Sequence, residues 1–427
     1  MTPVDLSVLL VSWNTREETR ACLDSLASTI KPGCRYEVIA VDNGSRDGSA
    51  DLLAADPQVR LLRNDRNVGF AAAVNQAYRA ATAPLVLLLN SDVRFHPGAL
   101  DTMLDLLRDR PDIAGVSPLY LNPDGTFQQH YVQQPGLAAA LGLVTVLWRL
   151  PGFRQARHRF EMRGEDFSRP RELASGSCML LRRSILPAGR VFDERFPIYW
   201  NDALLARDLA AAGHRLWMLP DAVVTHTRGA SCRLLGPTVR QRHLLGSMVG
   251  YLRETGPGYR IPLFRALVVA DHLLKRMAGR PVTLAWPDLV AALRGDAGPL
   301  PDGDTREWFV HFSAEPWTGA AVPAPIAAQV AAGRRVLFVE PPGTRPRWPA
   351  TVTGAAPSIW VARPATVLPF GDRSAAVDRF NRRAATAALR RWLDGFAGPR
   401  LLHLGDARAR CVLGRLVEDG VVSHAHR

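Results

Sequence analysis

Runs of apolar residues that end abruptly in polar ones divide the first part of the chain. In the clearest run, residues 85–92 (LVLLLNSD), five aliphatic residues are followed by Asn90, Ser91 and Asp92. A continuous aliphatic run is typical of a strand buried on both faces, as in the centre of a parallel sheet. Ligands of such sheets bind beyond the carboxyl ends of the strands. Asp92 is therefore either aimed at a ligand or its metal, or a solvated turn residue.

Three shorter apolar runs precede this one, at residues 6–11, 36–41 and 59–63, and helical patterns separate them. The alternation predicts an α/β fold with a mostly parallel sheet. Asp42 follows the second run as Asp92 follows the fourth. Since the carboxyl ends of parallel strands meet at one edge, we expect both acids in one crevice.

The composition predicts a globular protein of two or three domains, since the chain has 427 residues and 47% apolar content. The sequence contains neither an apolar stretch of membrane-spanning length nor the pattern of a signal peptide, so we expect a cytoplasmic protein. Five cysteines without CxxC spacing are expected to be reduced and structural.

The formal charge of +13 predicts attraction to anions, which include nucleotides, phosphorylated lipid carriers and acidic membranes. No nucleic-acid partner is expected, because RRM, KH and zinc-finger signatures are absent. The dinucleotide fingerprint and the P-loop are absent too, which disfavours a dehydrogenase or a P-loop NTPase.

Seven segments between residues 5 and 235 carry a resemblance to a known family: VSWNTRE, VIAVDNGSRDGS, NVGFAAAVNQA, LLLNSDV, SGSCMLLRR, FDERFPIYWND and VVTHTRGAS. In this order they resemble the inverting family 2 glycosyltransferases with a GT-A fold, in particular the bacterial rhamnosyltransferase-like branch. The resemblance implies transfer of a sugar, rhamnose in that branch, from a nucleotide-sugar donor. The acceptor would be a hydroxyl of a glycan or polyprenyl-linked molecule in cell-surface polysaccharide synthesis.

The resemblance also implies a divalent metal, Mg²⁺ or Mn²⁺, that stabilises the departing diphosphate. Asp92 is the expected ligand, because it is the only acid in the segment that corresponds to the family's DxD motif. His226 is the expected second ligand. The alternative for His226 is a histidine that serves only the core or the surface.

The nucleotide sugar is expected to contact residues of the loops that follow the first strands. Asp42 corresponds to the family acid that contacts the base or ribose. The alternatives are a helix-surface or capping amide for Asn75 and a solvated loop residue for Arg228. The full expected set is Ser12, Asn14, Asp42, Asn43, Asn67, Gly69, Asn75, Ser91 and Arg228.

On the acceptor side, the resemblance makes Asp202 the general base of a single in-line displacement with inversion. Its expected neighbours are Gly176, Ser177, Trp200 and Asn201. The family has acids at the positions of Asn201 and Leu204. Losing a neighbouring carboxylate is expected to leave Asp202 a weaker base.

Two alternatives follow from these departures. Asp202 could instead be the N-cap of the helix that follows it. The whole protein could be a catalytically impaired scaffold that still binds a sugar nucleotide.

The pattern predicts three parts: a catalytic domain over residues 1–235, a helical segment over 236–298, and a third part over 305–427 after a Gly/Pro/Asp linker. The basic amphipathic helices of the second part either make a peripheral membrane contact or pack on the catalytic domain. The third part weakly resembles the N-terminal half of a family 4, GT-B glycosyltransferase. We expect a smaller Rossmann-like module without its own catalysis.

Overall fold

The computed structural model describes residues 4–128, 135–161, 166–168, 176–280 and 282–301, with six strands and residues 326, 327 and 330 of the C-terminal part. It divides into two compact units. The first contains residues 1–233 and 239–303, and the second contains residues 234–238 and 304–427. The helical segment expected as a separate part thus belongs almost entirely to the first unit.

Eight strands of the first unit form one sheet in the order β3-β2-β1-β4-β7-β6-β8-β5. Their bounds are β1 Leu6–Ser12, β2 Tyr36–Asp42, β3 Val59–Arg63, β4 Leu85–Asn90, β5 Val93–Phe95, β6 Ile113–Leu121, β7 Cys178–Arg182 and β8 Arg215–His226. The first four are parallel to one another. This confirms the predicted α/β class with a mostly parallel sheet.

Eleven α-helices have defined bounds, all between residues 16 and 294. They are α1 Arg16–Thr29, α2 Ser49–Ala54, α3 Phe70–Ala80, α4 Ala99–Asp109, α5 Leu137–Val144, α6 Pro151–Phe160, α7 Asn201–Ala211, α8 Ala230–Leu234, α9 Gly236–Thr255, α10 Arg260–Met277 and α11 Trp286–Arg294. Helices α1 to α3 connect the first four strands, as predicted. Within the described part of the chain, no helix combines the length and the apolar content needed to cross a membrane.

The strand β1 shows why the central sheet is buried on both sides. Leu6, Val8 and Leu10 contribute to the core on one face, whereas Leu9 and Val11 contribute to the core on the other. Successive side chains of a strand point to opposite faces. An unbroken aliphatic run is therefore what two buried faces require.

The strand directions bring several polar segments to one edge of the sheet. Ser12 pairs with Asp42 at the ends of β1 and β2, and Val11 pairs with Asn90 at the end of β4. Strand β7 runs antiparallel to β4, so that its first residue, Cys178, lies beside Leu89. The loop that precedes β7 thus reaches the same edge as the ends of β1, β2 and β4.

The short strand β5 was not predicted from the sequence. It pairs antiparallel with the end of β8, with Val93 opposite His226. Strand β8 is twelve residues long and ends at the histidine. This pairing places Asp92, which precedes β5, next to the end of β8.

Helices α9 to α11 share a hydrophobic core with the segment before α7. Phe196, Trp200 and Leu204 pack with Met248 and Phe264 in this cluster. Of the two interpretations of the helical segment, packing against the catalytic part is therefore observed. This packing covers one face of α10 and leaves its opposite face exposed.

The second unit contains a six-stranded sheet in the order β11-β12-β10-β9-β13-β14. The strands are β9 Trp308–Phe312, β10 Arg335–Val339, β11 Thr351–Ala356, β12 Ile359–Arg363, β13 Arg400–Leu404 and β14 Gly420–Val422. Strand β9 is parallel to both neighbours, as a Rossmann-like module requires.

Candidate functional site

Asp92 and His226 form a close, buried pair at the polar edge of the first sheet. The Oδ1 atom of Asp92 lies 3.2 Å from Nε2 of His226, and the two residues are 7% and 2% exposed. The second carboxylate oxygen, Oδ2, accepts a hydrogen bond from the Ala230 amide at 3.3 Å. The structure thus brings together the two side chains expected to bind a metal.

Gln128 fixes the orientation of the His226 ring. Its Nε2 donates to the carbonyl oxygen of His226 and to Oδ1 of Asn122, both at 2.8 Å. Its Oε1 therefore faces Nδ1 of His226 at 2.7 Å and accepts the proton on that nitrogen. In the neutral ring, the lone pair of Nε2 then faces the carboxylate of Asp92. Two facing lone pairs repel, and a bound cation relieves that repulsion.

The charge state of Asp92 also suits a cation. Burial by itself raises the pKa of Asp92, but a proton on Nε2 of His226 supplies a hydrogen bond and a charge that outweigh burial and hold the pKa below the ordinary 3.8. A cation between the two side chains would take the place of that proton. Two cis ligands of a small divalent cation lie about 3 Å apart when each bond is about 2.1 Å. The separation of the pair fits this value.

The protein offers only part of a coordination shell. No group of three or more His, Cys, Asp or Glu side chains suited to a metal occurs among the residues that the structure describes. Magnesium commonly takes one or two protein ligands and completes its shell with substrate phosphates and water. The pair therefore fits a cation that is bound together with a phosphate-bearing ligand.

Asp42 ends β2 with one carboxylate oxygen unused. Its Oδ2 accepts a hydrogen bond from the Ser45 amide at 3.0 Å, whereas Oδ1 is buried with no partner in the described part of the chain. Burial raises the pKa of Asp42. An unpaired buried acceptor is costly, so this oxygen is suited to a ligand hydroxyl or imide N–H.

Ser12 and Ser91 contribute their hydroxyls to a buried network inside the protein. The Ser12 hydroxyl lies 2.9 Å from that of Thr19, and the Ser91 hydroxyl lies 2.8 Å from that of Thr15. This network joins the end of β4 to the start of α1. Ser12 and Ser91 were expected to contact the nucleotide-sugar donor, but their hydroxyls already form hydrogen bonds that stabilise the loops.

Asn14 connects the loops after β1 and β2. Its amide N–H donates to the Ser45 hydroxyl at 2.9 Å, and its Oδ1 accepts from the Arg46 amide at 2.8 Å. Asn14 has a φ of 51°, and Trp200 and Arg228 are the other non-glycine residues with positive φ in the described ranges. All three belong to the expected site, where strained backbone often accumulates.

Arg228 lies in the loop after β8, two residues beyond His226. Its side chain is exposed, and its φ is 51°. The adjacent Gly229 has a φ of 76°, so the chain turns sharply here before α8. The guanidinium is therefore free to reach a bound anion near the Asp92–His226 pair.

Asn43 and Asn67 organise the loop that leads into α3. The Nδ2 atom of Asn43 donates to Oδ1 of Asn67 at 2.9 Å, and Oδ1 of Asn43 accepts from the Val68 amide at 3.1 Å. Gly69 follows with a φ of 95°, and a Cβ there would lie 2.8 Å from Cβ of Pro197. Only glycine allows this close approach without strain.

Asn75 lies on α3 and holds the segment before α7. Its Oδ1 accepts from the amides of Val191 and Phe192 at 2.8 and 3.0 Å. Its Nδ2 donates to the Phe192 carbonyl and to Glu194 at 2.8 and 3.0 Å. These four bonds use every polar position of the amide. Any contribution of Asn75 to donor binding is therefore through the segment that it holds.

Asp202 lies in the first turn of α7, against the loop before β7. Its Oδ2 accepts from the Gly176 amide at 3.3 Å, and its Oδ1 accepts from the Ala203 amide at 2.8 Å. The helix begins at Asn201 with Trp200 as its N-cap, so Asp202 is not the N-cap residue. A Cβ on Gly176 would lie 3.0 Å from Cβ of Asp202, so the glycine permits this contact.

Burial raises the pKa of Asp202, against the opposing effect of hydrogen bonds from the Ala203 and Gly176 amides. The sequence led us to expect a weaker base, because the neighbouring family acid is Asn201 here. The structure supplies a different cause for a raised pKa, which is desolvation. A carboxylate with a raised pKa is better suited to accept a proton near neutral pH.

Asn201 and Leu204 have clear structural roles in place of the family acids. Asn201 Nδ2 donates to the carbonyls of Phe196 and Ile198 at 3.3 and 3.2 Å, which an ionised carboxylate cannot do. Leu204 is buried in the core shared with α9 and α10. Both substitutions thus support the segment that precedes the base.

Trp200 and Ser177 complete the expected acceptor side. The Trp200 ring stacks on Phe160 with centroids 5.6 Å apart and lies 5.1 Å from the ring of Tyr251. The Ser177 carbonyl accepts from the Asn90 amide at 2.9 Å. The segment before β7 therefore links the end of β4, near the metal pair, to Asp202.

Three residues of the site were not predicted from the sequence: Gln128, Thr15 and Thr19. Thr15 lies in the quoted VSWNTRE segment and is the N-cap residue of α1, and Thr19 follows four residues later on the same side of that helix. No local signal exists for Gln128, because its partner His226 is 98 residues away.

Comparison with known proteins gives a consistent picture. The model of the family described as "Glycosyl transferase family 2" matches residues 7–189. An N-acetylglucosaminyl-diphospho-decaprenol L-rhamnosyltransferase of Mycobacterium tuberculosis is 33% identical over 242 residues, covering 53% of this chain and 77% of the relative. The O-antigen biosynthesis protein RfbC of Myxococcus xanthus is 30% identical over 231 residues, covering 53% of this chain and 17% of that protein.

Among solved structures, a mannosyltransferase of Pyrobaculum calidifontis in complex with GDP-Man and Mn²⁺ has a TM-score of 0.40 at 18% identity. The match covers 78% of this chain and 80% of that one. A likeness of this size does not bear on ligands or mechanism.

Proposed function

Because this chain belongs to glycosyl transferase family 2, as its motifs predict, we propose that it transfers a sugar from a nucleotide donor to an acceptor hydroxyl with inversion. The observation that carries this proposal is the arrangement at one sheet edge. A buried, ionised Asp92 faces His226, and Asp202, with its raised pKa, contacts the loop that joins β7 to the same edge.

The donor is proposed to bind across the ends of β1, β2 and β4. The unpaired oxygen of Asp42 would accept a hydrogen bond from the nucleoside, and Arg228 would meet the diphosphate. Asp92 and His226 would hold Mg²⁺ or Mn²⁺. When bound, the cation supplies positive charge that stabilises the departing diphosphate.

Asp202 is proposed to remove the proton of the acceptor hydroxyl. The hydroxyl oxygen then forms a bond to the anomeric carbon while the bond to the diphosphate oxygen breaks on the opposite face. Inversion of the anomeric configuration follows from this geometry. The oxocarbenium-like character of glycosyl transfer makes leaving-group stabilisation and base placement the two main contributions of the protein.

The sugar is proposed to be rhamnose and the acceptor a polyprenyl-linked glycan, made for a cell-surface polysaccharide. The support is the similarity to the M. tuberculosis relative, whose name describes rhamnosyl transfer to an N-acetylglucosaminyl-diphospho-decaprenol acceptor. The enzyme would then meet its acceptor at a membrane surface.

The test measures release of nucleoside diphosphate from a panel of nucleotide sugars, with Mg²⁺ or Mn²⁺ and a synthetic N-acetylglucosaminyl diphosphate carrying a short alkyl chain. D92A and D202N are each expected to reduce turnover by about a hundredfold or more. The matched control D51N changes an exposed aspartate on α2 and should leave turnover unchanged. Normal turnover in both site variants would contradict the proposed roles.

The alternative of a sugar-nucleotide-binding scaffold predicts a different result in the same assay. It predicts that nucleotide sugars raise the melting temperature while no acceptor or metal gives turnover. Asn201 and Leu204 motivated this alternative, yet both fit the structure without displacing Asp202.

A further inference from the structure

Helix α10 has an apolar face on each side. Phe264 and Val268 point into the core shared with α9 and α11. The opposite side is exposed, and a row of six apolar residues runs along it, with the exposed Arg276 at its margin: Leu263, Ala266, Ala270, Leu273, Leu274 and Met277. A helix that packs on a protein normally turns polar residues to water. The exposed apolar face is therefore unexplained by the fold.

The spacing confirms that these six residues form one stripe. They recur at intervals of three, four, three, one and three residues, which keeps them on one side of a 3.6-residue helix. The stripe is about 21 Å long, since each residue adds about 1.5 Å. Leu274 is 59% exposed and Met277 is 83% exposed. Surfaces of this kind commonly mark sites of interaction with a protein or a membrane.

The connection between α5 and α6 also exposes apolar side chains, and it is bonded to α10. Trp148 and Leu150 are exposed, and the segment that carries them is tied to α10 because the Val146 amide donates to Asp271 at 2.7 Å. An exposed tryptophan next to aliphatic residues is typical of a protein surface that enters the headgroup region of a membrane.

The charges around the stripe are almost all positive. Residues 256–280 contain five basic residues, whereas their one acid, Asp271, is buried and paired with Lys275 at 2.7 Å. Residues 145–161 contain four arginines and one acid, Glu161, which is paired with Arg157 at 2.9 Å. A basic border around an apolar face is complementary to anionic lipid headgroups. It does not favour a second copy of this chain, because the same basic residues would face each other.

We propose that the exposed face of α10, together with Trp148 and Leu150, docks this protein onto an anionic membrane surface. The stripe would lie in the plane of the interface, with Arg276 and Arg280 at the headgroups. The docking rests on observations that are independent of catalysis, but its purpose rests on the proposed function, since it would bring the enzyme to a lipid-linked acceptor.

The test is sedimentation of the full chain with vesicles in the absence of any substrate. Vesicles containing phosphatidylglycerol should bind the protein, and pure phosphatidylcholine vesicles should bind it much less. Raising the salt concentration should weaken the binding, because exposed charges are screened. The variant L274E/M277E is expected to bind anionic vesicles at least about tenfold less, since it places two charges in the apolar stripe.

The control A54E/A55E makes the same change in net charge at two exposed positions at the end of α2. It should bind like the unaltered protein, and melting curves should show that all variants are folded. Equal binding of both double variants, or no binding of the unaltered chain, would overturn the proposal. So would a dimer in light scattering that L274E/M277E converts to a monomer, because the face would then be a self-association surface.

Activity toward the short-chain acceptor separates this proposal from the proposed function. L274E/M277E should retain that activity while losing vesicle binding. If the chain proves inactive with every donor, vesicle binding can still be measured, and the two proposals thus fail independently.

Discussion

The His226 ring lies between Asp92, which faces Nε2, and Gln128, which accepts the proton of Nδ1. Side chains that orient a ligating histidine in this way are known to affect metal affinity strongly. Gln128 is itself held, because its Nε2 donates to two oxygens. At the scale of single residues, the candidate metal site thus depends on Gln128, whose amide is already used in hydrogen bonds and orients the ligand His226.

The substitution Gln128→Met is expected to weaken Mn²⁺ binding by about tenfold or more, because the His226 ring loses the acceptor that selects its tautomer. Electron paramagnetic resonance of free Mn²⁺, with a nucleoside diphosphate present, measures the affinity without requiring turnover. Gln58→Met changes an exposed glutamine and should leave the affinity unchanged. Unchanged affinity in Gln128→Met would remove Gln128 from the site.

The substitution Asp42→Asn is expected to raise the free energy of unfolding at pH 7 by about 1 kcal/mol, and by less at pH 4. Burial raises the pKa of Asp42 above 3.8, so the folded state binds this proton more tightly than the unfolded state does. The resulting stability is complete below the ordinary pKa and is lost as the pH rises through the folded value. Asparagine carries no charge at either pH.

Urea unfolding at the two pH values measures this difference. Asp24→Asn, on the exposed side of α1, serves as the control and should show no dependence on pH. An effect of Asp42→Asn that is the same at pH 4 and pH 7 would argue against desolvation of the carboxylate.

At the scale of elements, hydrogen bonds between loops hold the site together. The loop before α3 contacts the segment before α7, where the Ala71 amide donates to the Pro197 carbonyl at 3.2 Å. Asn75 holds the same segment from the other side. The proposed donor and acceptor sides are thus mechanically connected, and Gly69 lies at their closest approach.

Gly69→Ala is expected to destabilise the protein by about 1 to 3 kcal/mol and to weaken donor binding. The new Cβ would meet Pro197 at 2.8 Å in a backbone with a φ of 95°. Gly98→Ala is a matched control, since its φ is 77° but no atom lies within 4 Å of the added Cβ. Thermal melts with and without a nucleoside diphosphate compare them. Equal losses in both variants would mean that the contact with Pro197 contributes nothing.

At the scale of the whole molecule, the candidate site belongs to only one of the two units. Every candidate site residue lies in residues 12–228, within the first unit. The proposed membrane surface belongs to that unit as well, through α10 and the connection between α5 and α6. The second unit has its own core, which includes Val336, Phe338 and Val361. Part of the formal charge of +13 comes from basic residues near the apolar stripe, where it would attract anionic lipids.

The sequence by itself determined the first four strands, the acids at their ends and the family. These follow from local causes: β3 Val59–Arg63 agrees with its prediction, and α3 begins at Phe70 after the left-handed Gly69. Only the tertiary structure decided which residues meet. Strand β5 brings Asp92 to His226, and Gln128 joins them from a distant part of the chain.

The same distinction holds for α10. Its pattern predicts a helix but not which side is buried, because that depends on where its neighbours pack. The periodicity of a segment reflects only residues that are close in sequence. A site or a surface depends on contacts between residues that are far apart in sequence.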